Sequence, residues 1–516
     1  MTHVPVVVVG AGPTGVTAAT LLAQYGVRCL VLDRWTGVYP QPRAVHMDDE
    51  IYRITARLGI AEAVSAITRP ALGLRLLDSK MTVLAEFCRD TGLSRNGFPQ
   101  ANMFDQPELE ALLRANLVHY PSVELRGNVE VGDIAEDGTG RVRVSYTDRT
   151  DGTETVVTAD YVLGCDGANS ITRSRIGSAM EDLGFEQRWL VVDVATAADL
   201  HQWDGVHQVC DPVRAGTYMR IGDNRYRWEF RLLPGETPAD FDTIEALAPL
   251  IRPWVSDVPA GGLELVRVAE YTFRAQLVDH WRRGPVFLLG DAAHLTPPFI
   301  GQGMGAGLRD AMNLSWKLAG VLAGTLPADA LDTYQQERKP HARHMIQLAL
   351  AVGRAMTAGG TLGDIARRSL LPRLSRLPGL SGKVMDSRTP ALHRSTLAHT
   401  SRLPGRLAGT LCPNPFVDGA DRLDAVLGTG FAIITTTTPG PVERTLIDQR
   451  AAVLHVATAE SELGQWLRRG RATAAIVRPD RTVMRAGNDI VTLCRSLPRS
   501  CAEVGSAATR SDSTQQ

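Results

Sequence analysis

Three short apolar runs in the first 300 residues each lead into a glycine or an aspartate. Residues 6–9 are four valines, residues 161–163 are Tyr-Val-Leu, and residues 285–289 are Pro-Val-Phe-Leu-Leu. Runs of this length without polar alternation predict strands that are buried on both faces, as in a parallel sheet. We therefore expect an α/β fold whose strand ends carry the chemistry.

The turn after the first run has the spacing of a dinucleotide-binding fingerprint. Gly10, Gly12 and Gly15 form G-x-G-x-x-G between the strand and a helix that begins at about Pro13. The glycines provide a tight turn, close backbone approach to a pyrophosphate and close helix–strand packing, and the helix N-terminus favours phosphate. The next strand ends in Asp33, at the spacing where an acid accepts the ribose hydroxyls of a dinucleotide.

Helical spacing of apolar positions predicts four further helices in the first two thirds of the chain. The clearest start is at Asp105, which we expect to be an N-cap, with Glu108 at the capping-box position. The predicted helices cover residues 48–58, 105–119, 306–322 and 328 to beyond 343.

A second group of strands has the alternating pattern of a sheet with one buried face. Residues 187–233 and 264–274 are rich in aromatic residues and arginine, and they predict one mainly antiparallel sheet in a separate layer. Residues 71–90 suggest further short strands. Residues 141–146 alternate cleanly and predict a hairpin strand, with its turn at residues 151–152.

Beyond about residue 395 the chain predicts a small α/β module with the element order of thioredoxin. The module has no C-x-x-C pair, so we expect no redox activity there. The last dozen residues are small and polar and predict a disordered tail. The predicted domains are residues 1–180 (cofactor domain, first part), 181–275 (antiparallel sheet), 276–355 (cofactor domain, second part), 356–395 (helical linker), 396–503 (thioredoxin-like module) and 504–516 (tail).

Composition narrows the class of protein. The 55 basic and 56 acidic residues nearly balance, which gives no electrostatic reason to expect nucleic acid or an anionic membrane as a partner. The seven cysteines form no metal or disulfide pattern, which is typical of a reducing compartment. No basic region precedes the first apolar run, and no stretch has the roughly 18 apolar residues of a membrane helix. We expect a soluble cytoplasmic enzyme without a metal site.

The three strand-end motifs together resemble those of the single-component flavoprotein aromatic hydroxylases, the class A enzymes of the para-hydroxybenzoate hydroxylase type. The similarity covers about residues 1–350. The motifs are the glycine fingerprint, Asp166-Gly167 with Ser170 and Arg173 at fixed spacing, and Gly290-Asp291. More narrowly, residues 43–50, 100–110 and 228–236 are similar to the 3-(3-hydroxyphenyl)propionate hydroxylases.

The resemblance implies that FAD binds at the ends of these strands. The glycines would hold the pyrophosphate and Asp33 the adenosine ribose, while Arg43 and Gln106 would contact the diphosphate and ribityl chain. Asp291 would bind a ribityl hydroxyl, and residues 301–305 would lie against the flavin, where helix N–H groups favour negative charge near N1. The full expected FAD set is Gly10, Gly12, Pro13, Thr14, Gly15, Asp33, Arg34, Arg43, Gln106, Asp166, Gly167, Asp291, Pro298, Gly301, Gly303 and Met304.

Two positions near the expected flavin carry an alternative, and a third departs from the family pattern. Arg43 fits a surface arginine as well as a cofactor contact, and His294 fits a satisfied loop histidine as well as a polar neighbour of the flavin. Ile300 stands where many relatives have a small residue before Gly-Gln-Gly, which would narrow the space beside the flavin.

The reaction implied by the resemblance is hydroxylation of a phenol ortho to its hydroxyl. NADH or NADPH would reduce FAD, O2 would add at flavin C4a, and the distal hydroperoxide oxygen would pass to the ring. No protein nucleophile is needed, so no covalent or acid–base residue is assigned. We expect the substrate against the antiparallel sheet, with an arginine pairing a propionate carboxylate, although each candidate also fits an exposed or packing position. The candidates are His207, Tyr218, Arg220, Arg227 and Arg231.

Other functions stay open at this point. A large apolar pocket would favour a hydroxylase that tailors a polycyclic aromatic natural product or inactivates an antibiotic. A flavin-binding protein without turnover is disfavoured by the intact motifs at Gly10, Asp166 and Asp291. The expected partner is a small phenolic substrate, without a separate reductase, and a homodimer stays open.

Overall fold

The computed structural model describes residues 2–39, 44–255, 258–357, 389–401, 403, 405–417, 419 and 421–498. Arg43, most of the predicted helical linker and the predicted tail lie outside these ranges. All statements below about contacts refer to the described residues.

Twenty-five strands and twelve helices are described, and their bounds follow in chain order. The first part contains β1 (Thr2–Val9), α1 (Pro13–Gln24), β2 (Cys29–Leu32), β3 (His46–Asp48), α2 (Asp49–Arg57), α3 (Ala61–Ile67), β4 (Arg69–Pro70), β5 (Gly73–Leu77), β6 (Val83–Cys88), β7 (Ala101–Met103), α4 (Gln106–Asn116), β8 (Val123–Arg126), β9 (Val129–Glu136), β10 (Val142–Asp148), β11 (Glu154–Gly164) and α5 (Ile171–Arg175). The middle part contains β12 (Met180–Ala195), β13 (Val206–Val209), β14 (Gly216–Arg220), β15 (Arg225–Arg231), α6 (Ile244–Val255), β16 (Glu264–Val278), β17 (Arg282–Arg283), β18 (Val286–Leu288), β19 (His294–Leu295), α7 (Gly303–Leu322) and α8 (Asp332–Thr357). The C-terminal part contains β20 (Phe416–Val417), β21 (Asp421–Arg422), α9 (Leu423–Leu427), β22 (Ala432–Thr435), α10 (Pro441–Gln449), β23 (Val453–Val456), α11 (Glu462–Arg469), β24 (Ala474–Val477), β25 (Val483–Gly487) and α12 (Ile490–Ser496).

The first sheet carries the three predicted buried strands at its centre. Its main strand order is β17-β18-β11-β1-β2-β8, and β10 and β9 extend it from β11 in antiparallel fashion. β1 pairs in parallel with β2 and β11, and β11 pairs in parallel with β18. Val9, Gly164 and Leu288 share one register, so the turns that follow them emerge at the same edge. The prediction of buried central strands in a parallel sheet is confirmed.

The second sheet has eight strands in the order β19-β16-β12-β15-β14-β13-β5-β6, and it is antiparallel except where β13 pairs with β5. This confirms the predicted antiparallel layer. β5 and β6 lie within the range that the sequence assigns to the first domain, whereas their pairing places them in the second sheet. Alternation along a strand shows that one face is buried but not which sheet the strand joins.

The second sheet has an outer face and an inner face. On the outer face, α6 covers a hydrophobic cluster that includes Tyr218. On the inner face, Met219 packs with Val45, which precedes β3. The Trp189 ring, also on the inner face, lies 6.4 Å from the ring of Phe299, in the turn before α7. The inner face therefore covers two loop segments of the first domain.

The C-terminal module contains a four-stranded sheet in the order β23-β22-β24-β25. β22 and β23 are parallel, while β24 and β25 run antiparallel to their neighbours. Phe431 and Ile433 pack in one hydrophobic cluster with Trp316 of α7 and Leu326. The sequence pattern predicts strands at residues 431–436, 452–458, 474–477 and 482–485, and all four are confirmed. The thioredoxin-like assignment stays a prediction, which the order and direction of the strands support.

Two helix starts show where local sequence rules hold and where tertiary contacts replace them. Asp48 caps α2, because its Oδ1 accepts the Ile51 N–H at 2.8 Å. Asp105 occupies the N-cap position of α4 but makes no side-chain cap, so the predicted capping box with Glu108 is wrong. Burial raises the pKa of Asp105, and the charge of Arg225 on β15 attracts its carboxyl.

Two further properties of the described ranges concern membranes and metal ions. None of the helices there is both long and apolar enough to cross a bilayer. The same ranges contain no group of three or more His, Cys, Asp or Glu side chains arranged to hold a metal ion.

Candidate active site

The three motif-bearing turns lie side by side at one edge of the first sheet. Cys165 N donates to Val9 O at 2.8 Å, and Leu289 N donates to Gly164 O at 2.9 Å. These bonds continue the ladders of β1, β11 and β18 to the last residue of each strand. The turns therefore open on one common cleft, which we call the cofactor edge.

The three fingerprint glycines have different surroundings. Gly10 has a φ of +98°, and a Cβ there would lie 2.4 Å from the carbonyl oxygen of Cys165. A Cβ at Gly15 would lie 1.9 Å from the carbonyl oxygen of Gly10. A Cβ at Gly12 would meet no heavy atom of the described chain within 4 Å. Gly10 and Gly15 thus serve the packing of the turn, while Gly12 leaves open space at the start of α1.

Two helices present uncapped N-termini at the cofactor edge. The N-cap residues of α1 and α7, Gly12 and Gln302, make no side-chain cap, and neither first turn contains an acidic residue. The helices are in close contact, since a Cβ at Gly307 of α7 would lie 2.2 Å from Thr14 Oγ1 of α1. Uncapped N–H groups and the positive end of the helix dipole suit a phosphate or another anionic group.

Asp33 closes the first turn from the end of β2. Its Oδ2 accepts the Ala11 N–H at 2.5 Å, and its Oδ1 accepts the Trp35 N–H at 2.7 Å. Arg114 of α4 places a guanidinium nitrogen 3.6 Å from Asp33 Oδ2. Arg34 is exposed and lies 3.6 Å from Glu130. The expected contact of Asp33 with the adenosine ribose stays a prediction.

The second motif joins two turns of the cofactor edge. Asp166 accepts hydrogen bonds from Ser170 Oγ at 2.6 Å and from Thr172 N at 2.9 Å. Arg173 donates to the carbonyl oxygen of Ala168 at 2.8 Å and to that of Ala292 at 3.2 Å. The arginine of this motif therefore fixes the Asp-Gly turn against the Gly-Asp turn.

The third turn is supported from beneath by α7. Gly290 has a φ of +60°, and its N–H donates to Asp310 Oδ2 at 3.0 Å. The same oxygen lies 2.7 Å from His294 Nε2, and Arg338 donates to Asp310 Oδ1 at 2.8 Å. Burial raises the pKa of Asp310, but the charges of His294 and Arg338 hold it below its usual range. His294 is thus paired through Nε2, whereas its buried Nδ1 has no hydrogen-bond partner in the described ranges, so both interpretations of this histidine stay predictions. Asp291 itself is half-buried.

A charged cluster that the sequence analysis missed holds the start of α7. Asp48 Oδ2 accepts from Gln302 Nε2 at 2.9 Å and from Arg309 Nη2 at 2.5 Å. Arg309 Nε also lies 2.8 Å from Glu50 Oε2. The strong apolar pattern of α7 hides Arg309, and no local signal links it to Asp48, which lies 261 residues away. These bonds fix the loop that contains Gly301.

That loop lies close to the segment after residue 43. Gly301 has a φ of +62°, and a Cβ there would lie 2.9 Å from His46 Nδ1. Burial, followed by the charge of Arg89, lowers the pKa of His46 to about 4. Gln106 Oε1 accepts the Ala44 N–H at 2.6 Å, so the expected FAD contact Gln106 holds the same segment. Pro298 and Ile300 before the loop glycine and Met304 in the first turn of α7 are half-buried.

Three of the five substrate candidates lie on the outer face of the second sheet. His207 Nδ1 accepts from Trp254 Nε1 of α6 at 3.1 Å, and burial lowers the pKa of His207 to about 4. Tyr218 is buried against the same helix. Arg220 shares this face and donates to the carbonyl oxygen of Gly222 at 3.2 Å. None of these three side chains faces the cofactor edge, because alternate positions of a strand point to opposite faces.

The other two candidates, Arg227 and Arg231, lie on the inner face, but each is engaged. Arg227 is completely buried and binds both carboxylate oxygens of Asp193, at 2.6 and 2.9 Å. Arg231 donates to the carbonyl oxygens of Pro212 at 3.2 Å and Val213 at 2.9 Å. The alternation over residues 225–231 already predicts that Arg227 and Arg231 share a face, since the charged residues occupy every second position of the strand.

The open positions at the cofactor edge test whether FAD fits. Each of the three turns, or the helix that follows, contains a glycine beside empty space: a position for Cβ at Gly12, Gly167 or Gly303 has no described atom within 4 Å. An extended cofactor with a pyrophosphate near α1 and an anionic ring near α7 would use this space and both helix N-termini. The residues present therefore fit FAD.

Comparison with known proteins agrees with this fit. Residues 3–349 match the model of a family described as FAD binding domain. The chain is 33% identical over 509 residues to a probable NADH-specific resorcinol 4-hydroxylase of Rhodococcus jostii (strain RHA1), covering 95% of this chain and 93% of the relative. It is 36% identical over 444 residues to a 3-(3-hydroxy-phenyl)propionate/3-hydroxycinnamic acid hydroxylase of Mycolicibacterium gilvum (strain PYR-GCK), covering 84% and 76%. A solved ternary complex of aklavinone-11 hydroxylase with FAD and aklavinone has a TM-score of 0.78 at 25% identity, covering 97% of this chain and 99% of that chain.

Proposed function

The chain belongs to the FAD-binding family of class A flavin monooxygenases, and we propose that it hydroxylates a phenolic ring with NADH and O2. The observation that carries the proposal is the convergence of three glycine-containing turns and two uncapped helix N-termini on one cleft. Such an edge suits a dinucleotide that must be held by backbone groups at close range.

When bound, FAD would supply the redox and oxygen chemistry, namely two-electron reduction by the nicotinamide and transfer of one oxygen atom of O2 to the ring. The chain's own residues bind, orient and shield. The turn at Gly12 would hold the pyrophosphate, and the N-terminus of α7 would stabilise negative charge on the reduced ring. The inner face of the second sheet would cover the reacting ring and exclude water.

The first substrate candidates are 3-(3-hydroxyphenyl)propionate and 3-hydroxycinnamate. They are the compounds named for the relatives that are 36% identical to this chain. Both carry a carboxylate, so this assignment needs a cation in reach of the bound ring.

Resorcinol is a second candidate, and one observation favours it. The three arginines expected to pair a carboxylate are already engaged: Arg220 and Arg231 with backbone carbonyls, Arg227 with Asp193. A neutral dihydroxybenzene needs no such pair, and the resorcinol 4-hydroxylase relative aligns over 95% of this chain.

The proposal includes direct use of the nicotinamide, without a separate reductase. A cytoplasmic location and a homodimer stay predictions, which cell fractionation and light scattering of the purified chain would measure. The predicted domain bounds are proposed with one change, namely that β5 and β6 belong with the substrate sheet.

The test is O2-dependent oxidation of NADH and of NADPH in the presence of each phenol, with product mass and peroxide measured together. We expect faster oxidation with NADH, a product heavier by one oxygen atom and little peroxide. Comparison of 3-(3-hydroxyphenyl)propionate with resorcinol then separates the two candidates.

Other outcomes have definite meanings. Rapid oxidation that yields only peroxide would mean that the added phenol is an effector or a poor fit, and it would contradict that substrate. No stimulation by either phenol would contradict the single-ring proposal and favour a polycyclic aromatic substrate.

A further inference from the structure

A band of side chains crosses the inner face of the second sheet. Gln208, Thr217 and Glu229 are directly paired across β13, β14 and β15, and Val191 and Ala269 continue the band on β12 and β16. Directly paired residues share one face of a sheet. Thr217 Oγ1 donates to Gln208 Oε1 at 3.0 Å, so these two side chains are fixed relative to each other.

Glu229 differs from its neighbours because no side chain or backbone N–H of the described chain donates to its carboxyl. The residue is only 8% exposed. Arg227 and Arg267, the cations whose charge acts on it, lie 2.6 and 3.0 Å from Asp193 oxygens instead. A carboxylate buried to this degree has lost most of its hydration and gains no protein donor in return, which is uncommon in folded proteins. A ligand with a hydroxyl group would supply the missing donor.

The band lies between two contacts with loop segments of the first domain. On one side is Met219, which packs with Val45, the residue before His46. On the other side is Trp189, whose ring lies 6.4 Å from the ring of Phe299, two residues before Gly301. A ring held between Glu229 and the flavin would therefore be covered on both sides by inner-face contacts.

We propose that the Glu229 carboxylate accepts the hydrogen bond of the substrate's phenolic hydroxyl and takes its proton during oxygen transfer. As a ring electron pair forms the new C–O bond to the oxygen atom that FAD delivers, the phenolic O–H bond breaks, its proton moves to Glu229 and the phenol oxygen becomes a ring carbonyl. The ring then regains aromaticity: the C–H bond at the oxygenated carbon breaks, its electron pair returns to the ring and that proton leaves to solvent, while Glu229 gives its proton back to the phenol oxygen and is restored as a carboxylate. Thr217 and Gln208 would orient the ring. This assignment rests on the proposed function, because it needs a phenol as substrate.

The charges around the band suit this role. Burial raises the pKa of Glu229; Arg227 lowers it and Asp193 raises it. Arg267 also lowers it, yet the pKa stays above that of an ordinary glutamate. Asp105, at the start of α4, acts on the same two arginines. A carboxyl whose pKa is raised lies closer to a phenol, at about 10, which eases proton transfer.

The test measures binding without turnover, in the FAD-loaded full chain and in the absence of NADH. The probes are 3-(3-hydroxyphenyl)propionate and resorcinol, each compared by calorimetry with the analogue in which every ring hydroxyl is methylated. In the unaltered protein we expect the hydroxyl form to bind about 10- to 100-fold more tightly than the ether. This preference should fall as the pH drops through the Glu229 pKa, since the carboxylate is then protonated.

In Glu229→Gln the preference for the hydroxyl form should fall to a few-fold and lose its pH dependence. Oxygen transfer should also slow by about 100-fold or more and need a higher pH, closer to the phenol's own pKa. Glu229→Asp keeps a carboxylate and should recover part of the pH dependence. The matched control is Glu186→Gln, an exposed glutamate of β12, which should behave like the unaltered protein.

The outcomes separate this assignment from the proposed function. If Glu229→Gln keeps the full preference and its pH dependence, the assignment is overturned while the hydroxylase proposal stands. If the unaltered protein binds neither phenol, the proposed function fails and this assignment fails with it. Should Glu229→Gln not fold, the unaltered protein still provides the test, because a hydroxyl preference that does not fall as the pH drops would overturn the assignment.

Discussion

At the cofactor edge, the groups that face the cleft are glycines and backbone N–H groups, whereas charged side chains dominate the interface between the C-terminal module and helices α7 and α8. Around Gly12, Gly167 and Gly303 there is room for a Cβ that meets nothing within 4 Å. At the module interface, by contrast, Glu337 and Arg478 are completely buried and lie 3.0 Å apart.

The interface charges are almost fully paired. Glu337 accepts from Lys317 Nζ and from Asn313 Nδ2, each at 2.8 Å, in addition to Arg478. Arg53 of α2 binds both carboxylate oxygens of Asp424 of the module, each at 2.6 Å. Burying a charge costs several kcal/mol unless it is paired in this way.

The two regions use different groups because each must provide a different property. The cofactor edge must leave space and offer donors at close range, which glycine and helix ends achieve without side chains. The module interface must define one docked position, and pairs of opposite charge do this because any displacement leaves a charge buried and unpaired.

The largest effect that distinguishes the two regions is expected from Glu337→Gln. This change leaves Lys317 and Arg478 without their shared anion, and we expect a loss of about 3–5 kcal/mol in the free energy of unfolding. Chemical denaturation at neutral pH measures this loss. FAD affinity of the folded fraction should be unchanged, because Glu337 does not face the cleft.

Glu337 also predicts a pH dependence. Although burial raises its pKa, the charges of Arg478 and Lys317 hold it at about 2. Because the folded pKa is lower than the unfolded one, this stabilisation is present above about pH 4 and is lost as the pH falls towards 2. In Glu337→Gln the stability should depend less on pH over this range; an equal dependence in both proteins would contradict the account.

Gly15→Ala tests the packing of the cofactor edge, and we expect it to lower the free energy of unfolding by less than Glu337→Gln does. The new Cβ would meet the Gly10 carbonyl oxygen at 1.9 Å, so the turn must shift, at a cost of about 1–3 kcal/mol. FAD retention should fall with it, as measured by flavin content after gel filtration. Stability equal to that of the unaltered protein would show that the turn is not packed as described.

Asp48→Asn examines the place where the cofactor edge does use charge. The change removes a charge-assisted hydrogen bond to Arg309 but keeps the α2 cap. We therefore expect the free energy of unfolding to fall by about 2 kcal/mol. Thermal unfolding with and without FAD measures the effect. Asp49→Asn is the matched control: burial, followed by the charge of Asp48, raises the pKa of Asp49 to about 6, and removing its charge should be neutral or stabilising.

The smallest effect is expected from Arg343→Ala. Arg343 pairs with Glu181 where both side chains are partly exposed. Exposed pairs of this kind contribute about 0–1 kcal/mol, and salt screens them. A loss as large as that of Glu337→Gln would show that burial is not what separates the two kinds of ion pair.

The sequence predicts the cofactor edge well because its information is local. Consecutive valines, the spacing of Gly10, Gly12 and Gly15, and Asp33 at the next strand end all lie within the first 33 residues. The apolar strands that end near residues 164 and 288 are local signals of the same kind, whereas their order beside β1 is seen only in the structure.

The rest could not be predicted, because it depends on pairs that are far apart in sequence. Arg309 and Asp48 are 261 residues apart, and their bond leaves no periodic pattern. Residue type alone suggested His207 and Tyr218 as substrate contacts, whereas α6 buries both on the outer face. Glu229 was not singled out, since an alternating strand does not show which of its faces meets the cleft.

The FAD dissociation constant of Gly12→Ala, measured by titrating the apoprotein and following flavin fluorescence, tests the central claim most directly. We expect the apoprotein to keep its stability, since the added Cβ meets nothing within 4 Å, while FAD binds at least 10-fold more weakly, by about 1.4 kcal/mol or more. Unchanged FAD affinity in a stably folded Gly12→Ala protein would contradict the placement of the pyrophosphate at this turn.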